Sequence, residues 1–431
     1  MNARLATISI LETFEKSGSQ LKIIRDQFFH RKKMSNLDRQ RTTVLTNEIV
    51  RWLPVIDSIY APYLQYPLRR LDSKVKAVLR LGVYESVMDS EIPDYAAIHS
   101  AVETTKSIKK KKASGLVNAV LRKVIQKNAE KPYQEMEHLK EAFPHWLSQK
   151  WIKQFGQKKT LSLMDTFMKP RPIFIRIDSH LGDVIDDLHS REVKLKILPE
   201  NEKIHQIEKG ASALVKSPSF EKGYFSIQDP GSAAIVTLLD PKEDETILDV
   251  CAAPGTKSYA IAKAMNGKGN LFLSDSDQKR IEMAKKGGGR FSFNHISWEQ
   301  KDATRDTYPM ADKILIDAPC SGTGLIGRKP DLKWRRIKED IHEMQKIQKS
   351  ILKHMSQFLK PGGVMIYATC SIEPEENWEV VEDFLKLNDG FEIESAEQWI
   401  PSRWLDDNHC LFTWPSQENT DGLFGARLKK I

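Results

Sequence analysis

The sequence predicts a multidomain protein with an all-α bundle (residues 1–130), a helical linker with a small α+β subdomain (131–228) and an α/β domain (229–431). Three observations lead to this fold class. A chain of 431 residues exceeds one ordinary domain. Apolar residues recur at helical spacing in the first third. From about Thr246 onward, short apolar strands, glycine-containing turns and helices alternate, which is typical of a parallel sheet covered by helices.

The first third is predicted to be helical. Between Asp72 and Val87 the apolar residues return every three or four positions, and Asp72 or Ser73 supplies a helix cap. A second helix is predicted after Pro93. The run Lys109–Lys112 interrupts the periodicity before it resumes. The pattern therefore predicts a helical bundle with a basic corner.

The rest of the chain contains the predicted strands. Pro170-Arg171-Pro172 introduces a strand at 173–177, and residues 173–226 are expected to form the small α+β subdomain. Asp229-Pro230 is typical of a helix start, because proline suits the first helical position. The strands predicted for the parallel sheet are 247–250, 271–273, 296–300, 313–316 and 364–367.

The positive charge is concentrated in the first third. Residues 1–130 hold 23 Lys/Arg against 13 Asp/Glu, whereas the remaining 301 residues hold 43 against 45. Such asymmetry favours a polyanionic partner, RNA or DNA, although a solubilising basic face would look the same. The candidate contacts are Lys109, Lys110, Lys111, Lys112 and Arg122.

Other classes of protein fit the composition poorly. No apolar run approaches the ~18 residues that cross a membrane. Polar residues recur from the start of the chain, unlike in a secretion signal. The four cysteines are far apart, which favours neither disulfides nor a metal site. We therefore expect a cytoplasmic protein without a metal.

The turn after strand 247–250 is the candidate cofactor site. Small residues at such a crossing allow a ligand to approach the backbone closely. Asp275, 20 residues beyond Gly255, is placed to accept hydrogen bonds from ribose hydroxyls, and Asp302 would lie near an adenine. The turn lacks the NAD and ATP signatures, so S-adenosylmethionine is the better candidate. Its residues are Cys251, Ala252, Ala253, Pro254, Gly255, Thr256 and Lys257.

Two cysteines follow strands of the same predicted sheet. Asp317-Ala-Pro-Cys320 follows strand 313–316, and Cys370 follows strand 364–367. Functional residues gather at the carboxyl ends of strands in an open α/β sheet, so both thiols are expected beside the cofactor. A single cysteine is more often a buried small apolar residue, but two at matching strand ends favour chemistry.

Three motifs resemble those of the NOL/NOP/Sun family of RNA 5-methylcytosine methyltransferases. They are Asp249-Val-Cys-Ala-Ala-Pro-Gly-Thr-Lys257, Asp317-Ala-Pro-Cys-Ser-Gly-Thr-Gly324 and Ala368-Thr-Cys-Ser-Ile-Glu-Pro-Glu-Glu-Asn377. Arg328-Lys-Pro-Asp-Leu-Lys-Trp334 and Asp421-Gly-Leu-Phe-Gly-Ala-Arg427 also match. Near the N-terminus, Pro93–Val102 and Gly115–Arg122 resemble a NusB-like RNA-binding domain. The resemblance covers nearly the whole chain.

The resemblance implies a fold, a reaction and residue roles. It implies a NusB-like bundle and a Rossmann-like domain that binds S-adenosylmethionine and methylates cytosine C5 in RNA, with 16S ribosomal RNA as the expected partner. Cys370 would attack the base at C6, Cys320 would assist product release, and Asp317 would contact the base beside the cofactor. Thr256 departs from the family, which usually has glycine there. A position with φ > 0 would suit threonine poorly.

Other interpretations remain open. A methyltransferase acting on an amine needs no thiol and commonly has an Asn/Asp-Pro-Pro-aromatic motif, where this chain has Asp317-Ala-Pro-Cys320. A DNA-type enzyme would use Cys320 as its nucleophile, but the element around Cys370 favours the RNA type. A NusB-like binding factor with an inactive sheet domain would have lost these residues. A monomer is expected.

Overall fold

The computed structural model describes residues 1–89, 91–199, 201–291 and 293–431. Two compact units can be distinguished. The helical unit comprises Met1–Lys169 and Ile326–Arg336, and the sheet unit comprises Pro170–Leu325 and Ile337–Ile431. The predicted boundaries at 130 and 228 do not coincide with this division, because 131–169 belongs with the helices. As functional domains, the three predicted segments stay a prediction.

The helical unit confirms the all-α expectation for the first third. Asp72 caps its helix by accepting hydrogen bonds from the backbone of Lys74 and Val75. The lysine run lies between the end of one helix at Ser107 and the start of the next at Ser114, as the interrupted periodicity predicted. The helices are α1 (Ala3–Ser17), α2 (Leu21–Arg31), α3 (Asn36–Arg51), α4 (Leu53–Tyr60), α5 (Ser73–Val83), α6 (Asp94–Ser107), α7 (Ser114–Glu130), α8 (His145–Phe155) and α9 (Gln157–Met168).

The sheet unit begins with a small antiparallel sheet. Its strand order is β2-β3-β1-β4, and all three pairings are antiparallel. Alternate residues of β1 and β4 face an apolar cluster that includes Ile175, Ile177 and Phe225. The elements are β1 (Ile173–Ile177), α10 (Leu181–Ser190), β2 (Lys194–Leu198), β3 (Asn201–Lys209), α11 (Pro218–Glu221) and β4 (Phe225–Ile227).

The second sheet carries the predicted site. Its elements are α12 (Pro230–Leu239), β5 (Thr246–Val250), α13 (Thr256–Ala264), β6 (Asn270–Asp275), α14 (Gln278–Gly288), β7 (Ile296–Gln300), β8 (Ala311–Asp317), α15 (Leu332–Arg335), α16 (Lys338–Met355), β9 (Leu359–Thr369), α17 (Trp378–Leu387), β10 (Phe391–Ile393), β11 (Leu411–Thr413), α18 (Pro415–Glu418) and β12 (Leu423–Lys430). Apolar clusters that include Leu273 and Ile316 pack the sheet against its helices.

The strand order corrects the prediction of a purely parallel sheet. The order is β10-β12-β9-β8-β5-β6-β7, with β11 paired to β12. Strands β9, β8, β5, β6 and β7 are parallel, but β12 is antiparallel to β9 and to its other neighbours. The sheet is therefore mixed. Its parallel part still brings the carboxyl ends of β5, β6, β8 and β9 to one edge.

Helix α15 lies in the helical unit although its sequence interrupts the sheet unit. The amine of Lys333 donates to the backbone oxygen of Arg51 and lies over the ring of Phe143 at 4.1 Å from the centroid. The indole of Trp334 donates to the backbone oxygen of Val50 at 2.7 Å. The segment Ile326–Arg336 is thus part of the core of the helical unit.

Candidate active site

The carboxyl edge of the mixed sheet brings the two predicted cysteines together. Asp317 ends β8 and pairs with Ala368 of β9, and the backbone amide of Ala318 donates to the oxygen of Ala368 at 2.9 Å. The two strands therefore end at the same level. Beyond them, the Sγ atoms of Cys320 and Cys370 lie 3.1 Å apart, and both residues are partly exposed. A substrate can reach this pair of thiols.

The two thiols are electrostatically coupled. Its hydrogen bond to Cys370, burial, and the charges of Cys370 and Glu376 raise the pKa of the Cys320 thiol well above its ordinary value. Because the two thiols interact this strongly, loss of a proton from one makes loss of a proton from the other harder. An arrangement of this kind suits a proton donor beside a nucleophilic thiolate.

Asp317 and Lys257 form an ion pair next to the thiols. The Nζ atom of Lys257 lies 2.8 Å from Oδ2 of Asp317. Burial alone would lower the pKa of Lys257, but the Asp317 carboxylate and then Cys370 outweigh it, so the pKa lies above its ordinary value. Sequence reasoning assigned Lys257 to the cofactor turn without predicting this pairing. The pair presents a carboxylate and an ammonium to whatever the thiols attack.

The turn after β5 forms a backbone cradle. Gly255 has φ = 93°, and a Cβ there would lie 2.8 Å from the ring of Tyr259. Cys251 has φ = 61°. Thr256 is the first residue of α13 and is not among the positive-φ residues. The threonine that departs from the family pattern therefore has a backbone conformation that L-residues adopt without strain.

The side chain of Asp275 holds the backbone of this turn through hydrogen bonds. It is 1% exposed, and Oδ2 accepts a hydrogen bond from the amide of Ala253 at 3.2 Å. Oδ1 accepts from the amide of Asp277, and Arg280 lies 3.0 Å from Oδ2. The ribose contact of Asp275 stays a prediction, but these bonds show that the carboxylate already holds the turn.

Asp302 and Asp249 differ in how fully they are bonded. Asp302 follows β7 and accepts from the amide and hydroxyl of Thr304. Asp249, which is fully buried in β5, uses Oδ2 to accept from the hydroxyl of Ser258, whereas its Oδ1 has no hydrogen-bond partner among the described residues. Burial, and secondarily the charge of Asp317, raises the pKa of Asp249 to about 7.

This orphaned oxygen fits a cationic ligand. Sequence reasoning quoted Asp249 in a motif but gave it no role, since a strand interior predicts only burial. Buried carboxylates without partners are costly, and a bound cation relieves that cost. The Gly255 turn, Asp249 and Asp275 together fit S-adenosylmethionine, which carries a sulfonium and an ammonium group.

A cavity of about 970 Å³ adjoins the cradle. Pro254 and Thr256 line one side, and helix α11 contributes Phe220. Between them the guanidinium of Arg290 lies over the rings of Phe220 and Phe291, at 3.8 and 4.6 Å from their centroids. The cavity thus combines apolar rings with a fixed positive charge.

The predicted basic corner is partly neutralised. Lys110 forms an exposed ion pair with Asp72 at 2.6 Å. Arg122 donates to the side chain of Asn118, one turn earlier in its helix. Its role in RNA binding stays a prediction, as do those of Lys109, Lys111 and Lys112.

Comparisons with known proteins decide the family. A family model described as 16S rRNA methyltransferase RsmB/F matches residues 236–429, and the NusB family model matches residues 1–126. The chain is 31% identical to the probable ribosomal RNA small subunit methyltransferase B of Bacillus subtilis, covering 92% of both chains. It is 32% identical to ribosomal RNA small subunit methyltransferase B of Shewanella oneidensis, covering 100% of this chain and 99% of the relative. The chain belongs to the ribosomal RNA small subunit methyltransferase B family.

Solved structures agree with the observed fold. The crystal structure of PH0851 superposes with a TM-score of 0.82 at 25% identity and covers 100% of this chain and 99% of its own. NSun6 from Pyrococcus horikoshii, solved with SFG, an S-adenosylmethionine analogue, has a TM-score of 0.61 at 22% identity over 68% of this chain and 99% of its own. The NusB-like bundle and the methyltransferase domain expected from the motifs are confirmed.

Membership of the ribosomal RNA small subunit methyltransferase B family makes the chain a methyltransferase. Within the described ranges, no group of three or more His, Cys, Asp or Glu side chains has the arrangement of a metal site. No described helix is both long and apolar enough to cross a bilayer. The four cysteines, all of them within the described ranges, form no disulfide bond.

Proposed function

We propose that this methyltransferase transfers a methyl group from S-adenosylmethionine to C5 of a cytosine in 16S ribosomal RNA. The observation that carries the proposal is the 3.1 Å approach of the Cys320 and Cys370 sulfurs beside Asp317. Cytosine C5 is too weak a nucleophile to accept a methyl group unaided, whereas addition of a thiolate at C6 makes it enamine-like. Such a route requires a nucleophilic thiol and a group that later removes the C5 proton, and a pair of thiols can supply both.

Cys370 is the attacking thiolate. Its Sγ bonds to C6, and the electron pair of the C5–C6 double bond becomes available at C5. The Asp317 carboxyl group, steadied by the ammonium of Lys257 at 2.8 Å, hydrogen-bonds the N3 and amine edge of the base and stabilises the charge developing on the ring. The element around Cys370 favours this thiol over Cys320 as the nucleophile, as the family resemblance implies.

Cys320 then completes the reaction. Once Cys370 is bound to C6 as a neutral thioether, its hydrogen bond to Cys320 and its charge no longer raise the pKa of the Cys320 thiol. The partly exposed thiol of Cys320 can then release its proton to solvent and, as a thiolate, accept the proton from C5. The electron pair of the C5–H bond restores the C5–C6 double bond, and Cys370 leaves as a thiolate.

The cradle after β5 holds the cofactor. Bound S-adenosylmethionine supplies the electrophilic methyl group. The buried carboxylate of Asp249 balances its positive charge, Gly255 allows close approach of the backbone, and Asp275 keeps the turn in place through Ala253. Because the turn adjoins Lys257, the cofactor and the base-binding Asp317 lie on the same edge of the sheet.

RNA would be held by positively charged surfaces around this edge and on the NusB-like bundle. Lys109–Lys112 and Arg122 suit phosphate contacts, which position RNA without reading its sequence. The cavity lined by Phe220 and Arg290 suits nucleotides that flank the target. The names of the relatives support a ribosomal substrate. A cytoplasmic monomer, as predicted from the sequence, is consistent with this proposal.

A denaturing gel tests the roles of the two thiols. With substrate RNA and S-adenosylmethionine, the Cys320→Ala variant should accumulate a covalent protein–RNA band, because Cys370 attacks but release fails. Cys370→Ala should give neither band nor product. The reverse pattern would exchange the roles in favour of a DNA-type assignment. Normal turnover without an adduct in either variant would remove covalent catalysis and the C5-cytosine proposal with it.

A further inference from the structure

A buried polar cluster lies directly behind the two thiols and has no role in the reaction described above. Its centre is Glu376, a carboxylate with no exposed surface, in the turn after β9. Its Oε1 accepts from the backbone amide of Ser321 at 2.7 Å, and its Oε2 accepts from the hydroxyl of Ser321. Oε2 also accepts from the hydroxyl of Ser371 at 2.6 Å. Ser321 and Ser371 are the residues that directly follow Cys320 and Cys370.

The cluster also fixes the residue before Cys320. The side-chain amide of Gln348, in α16, donates to the backbone oxygen of Pro319 at 2.8 Å and to Oε1 of Glu376 at 3.1 Å. The hydroxyl of Tyr367 donates to the backbone oxygen of Glu376 at 2.6 Å and holds that turn against β9. Ser321, which follows Cys320, is therefore bonded to Glu376 directly, and Pro319 is bonded to it through Gln348. Glu376 also bonds the residue that follows Cys370.

We propose that Glu376 is a positioning residue that sets the separation of the Cys320 and Cys370 sulfurs. One carboxylate bonds to both loops, so its loss loosens their connection without removing either thiol. The loops then remain joined only by weaker contacts, such as that between the hydroxyls of Ser321 and Ser371 at 3.2 Å and the bond from the amide of Gly324 to the oxygen of Cys370. Misplacement of reacting groups by about 1 Å can cost a hundredfold in rate. The consequence for RNA methylation rests on the proposed function, whereas the sulfur geometry does not.

The separation can be measured without RNA or cofactor. A diazene oxidant such as diamide takes one hydrogen atom from each thiol, becomes the hydrazine and leaves a Cys320–Cys370 disulfide, which peptide mass spectrometry identifies. Glu376→Ala should slow formation of this disulfide roughly tenfold or more, because the sulfurs meet less often. Glu376→Gln should stay within about threefold of the native rate, since its amide can still accept from the Ser321 backbone and bond both hydroxyls.

Glu379→Ala is the matched control, because this exposed glutamate lies on the next helix and its carboxylate accepts from the side chain of Gln345, away from both thiol loops. Its disulfide should form at the native rate. If folded Glu376→Ala protein, checked by its melting temperature, also forms the disulfide at the native rate, the positioning role is wrong. If Glu376→Ala does not fold, Ser321→Ala and Ser371→Ala replace it. Slow disulfide formation in both supports the proposal, and native rates in both overturn it.

The adduct gel separates this proposal from the proposed function. With RNA and S-adenosylmethionine, Glu376→Ala should accumulate the covalent band seen with Cys320→Ala, and Glu376→Gln should not. Slow disulfide formation without any covalent band in Glu376→Ala or Cys320→Ala would support the positioning role and contradict covalent catalysis. A covalent band in Cys320→Ala with native disulfide rates in Glu376→Ala would support covalent catalysis and overturn the positioning role.

Discussion

At the carboxyl edge of the sheet, the surrounding protein shifts the pKa values of single side chains away from their ordinary values. Asp249 is the clearest case, because it is fully buried, has an unbonded oxygen and has a pKa raised to about 7. Cys320 has a raised pKa because of the thiol next to it. Titratable groups perturbed in this way gather at reacting sites. Here they coincide with the residues that the motifs indicated.

Asp249 should make both stability and cofactor binding depend on pH. Its pKa rises from 3.8 to about 7 on folding, so its favourable contribution is present below about pH 4 and is lost as the pH rises to about 7. Above that pH the ionised carboxylate should favour a cationic ligand. Asp249→Asn should remove both dependences. Thermal melts and calorimetry between pH 5 and 8 check this, with the exposed Asp244→Asn as control. An unchanged pH profile in Asp249→Asn would contradict it.

Sequence motifs predicted functional roles for Cys320, Cys370, Asp317 and the turn because each lies at the carboxyl end of an apolar strand, and these roles stay predictions. The same reasoning could not identify the Lys257–Asp317 pair, since 60 residues separate its members. Nor could it predict the backbone conformation of Thr256, which depends on where α13 begins. Contacts that form only after folding leave no periodic signal in the chain.

At the scale of elements, the strands whose sequences are apolar runs were predicted well. The predicted bounds of β1 and β7 agree with the structure. The antiparallel strand β12 was missed because it includes glycine and charged residues. Its Arg427 is buried but satisfied by Glu394 and the backbone oxygen of Leu238, so polarity there was a poor guide to exposure.

Strand β12 begins with a backbone crossing that fixes the Cys320 loop. The amide of Gly324 donates to the oxygen of Cys370, and the amide of Gly422 donates to the oxygen of Gly324, both at 3.1 Å. A Cβ on Gly324 would lie 2.0 Å from the backbone oxygen of Gly422. Neither glycine can therefore be enlarged without separating the two chain segments.

Gly324→Ala should lower the free energy of unfolding by about 1–3 kcal/mol, the usual range for overpacking, and should slow methylation further by displacing Cys320. Denaturant unfolding and a methyl-transfer assay measure the two effects. Gly390→Ala, where a Cβ would have nothing within 4 Å, is the control. Native stability and activity in the Gly324 variant would show that the crossing is more adaptable than its geometry indicates.

On the scale of the whole molecule, the positive charge is concentrated in one of the two units. The excess of +10 in residues 1–130 lies in the helical unit, whereas residues 131–431, which include the carboxyl edge of the second sheet, have a net charge of −2. Electrostatic attraction of RNA should therefore depend mainly on the NusB-like bundle. The carboxyl edge of the second sheet would contribute local contacts to the target. The guanidinium of Arg290, which lies over the rings of Phe220 and Phe291, would supply one of them.

Changing Lys109–Lys112 to alanine should weaken RNA binding and flatten its dependence on salt. Removing one lysine–phosphate interaction with single-stranded RNA lowers the log–log salt slope by about 0.7, so removing four would lower it by roughly 3. The ion pair between Lys110 and Asp72 favours a smaller effect, nearer 2, because that lysine is already partly neutralised. Cofactor affinity should not change, since the cradle lies in the sheet unit.

Fluorescence anisotropy with labelled RNA at several salt concentrations measures this slope. The charge-matched control replaces four exposed, ion-paired lysines of the sheet unit by alanine: Lys242, Lys268, Lys346 and Lys386. This control removes the same total charge, so it should leave the slope nearly native if position matters more than net charge. An equal decrease of the slope in both variants would mean that RNA senses only the overall charge. A native slope in the Lys109–Lys112 variant would make that run a solvated corner, with phosphate contacts to be sought elsewhere on the bundle.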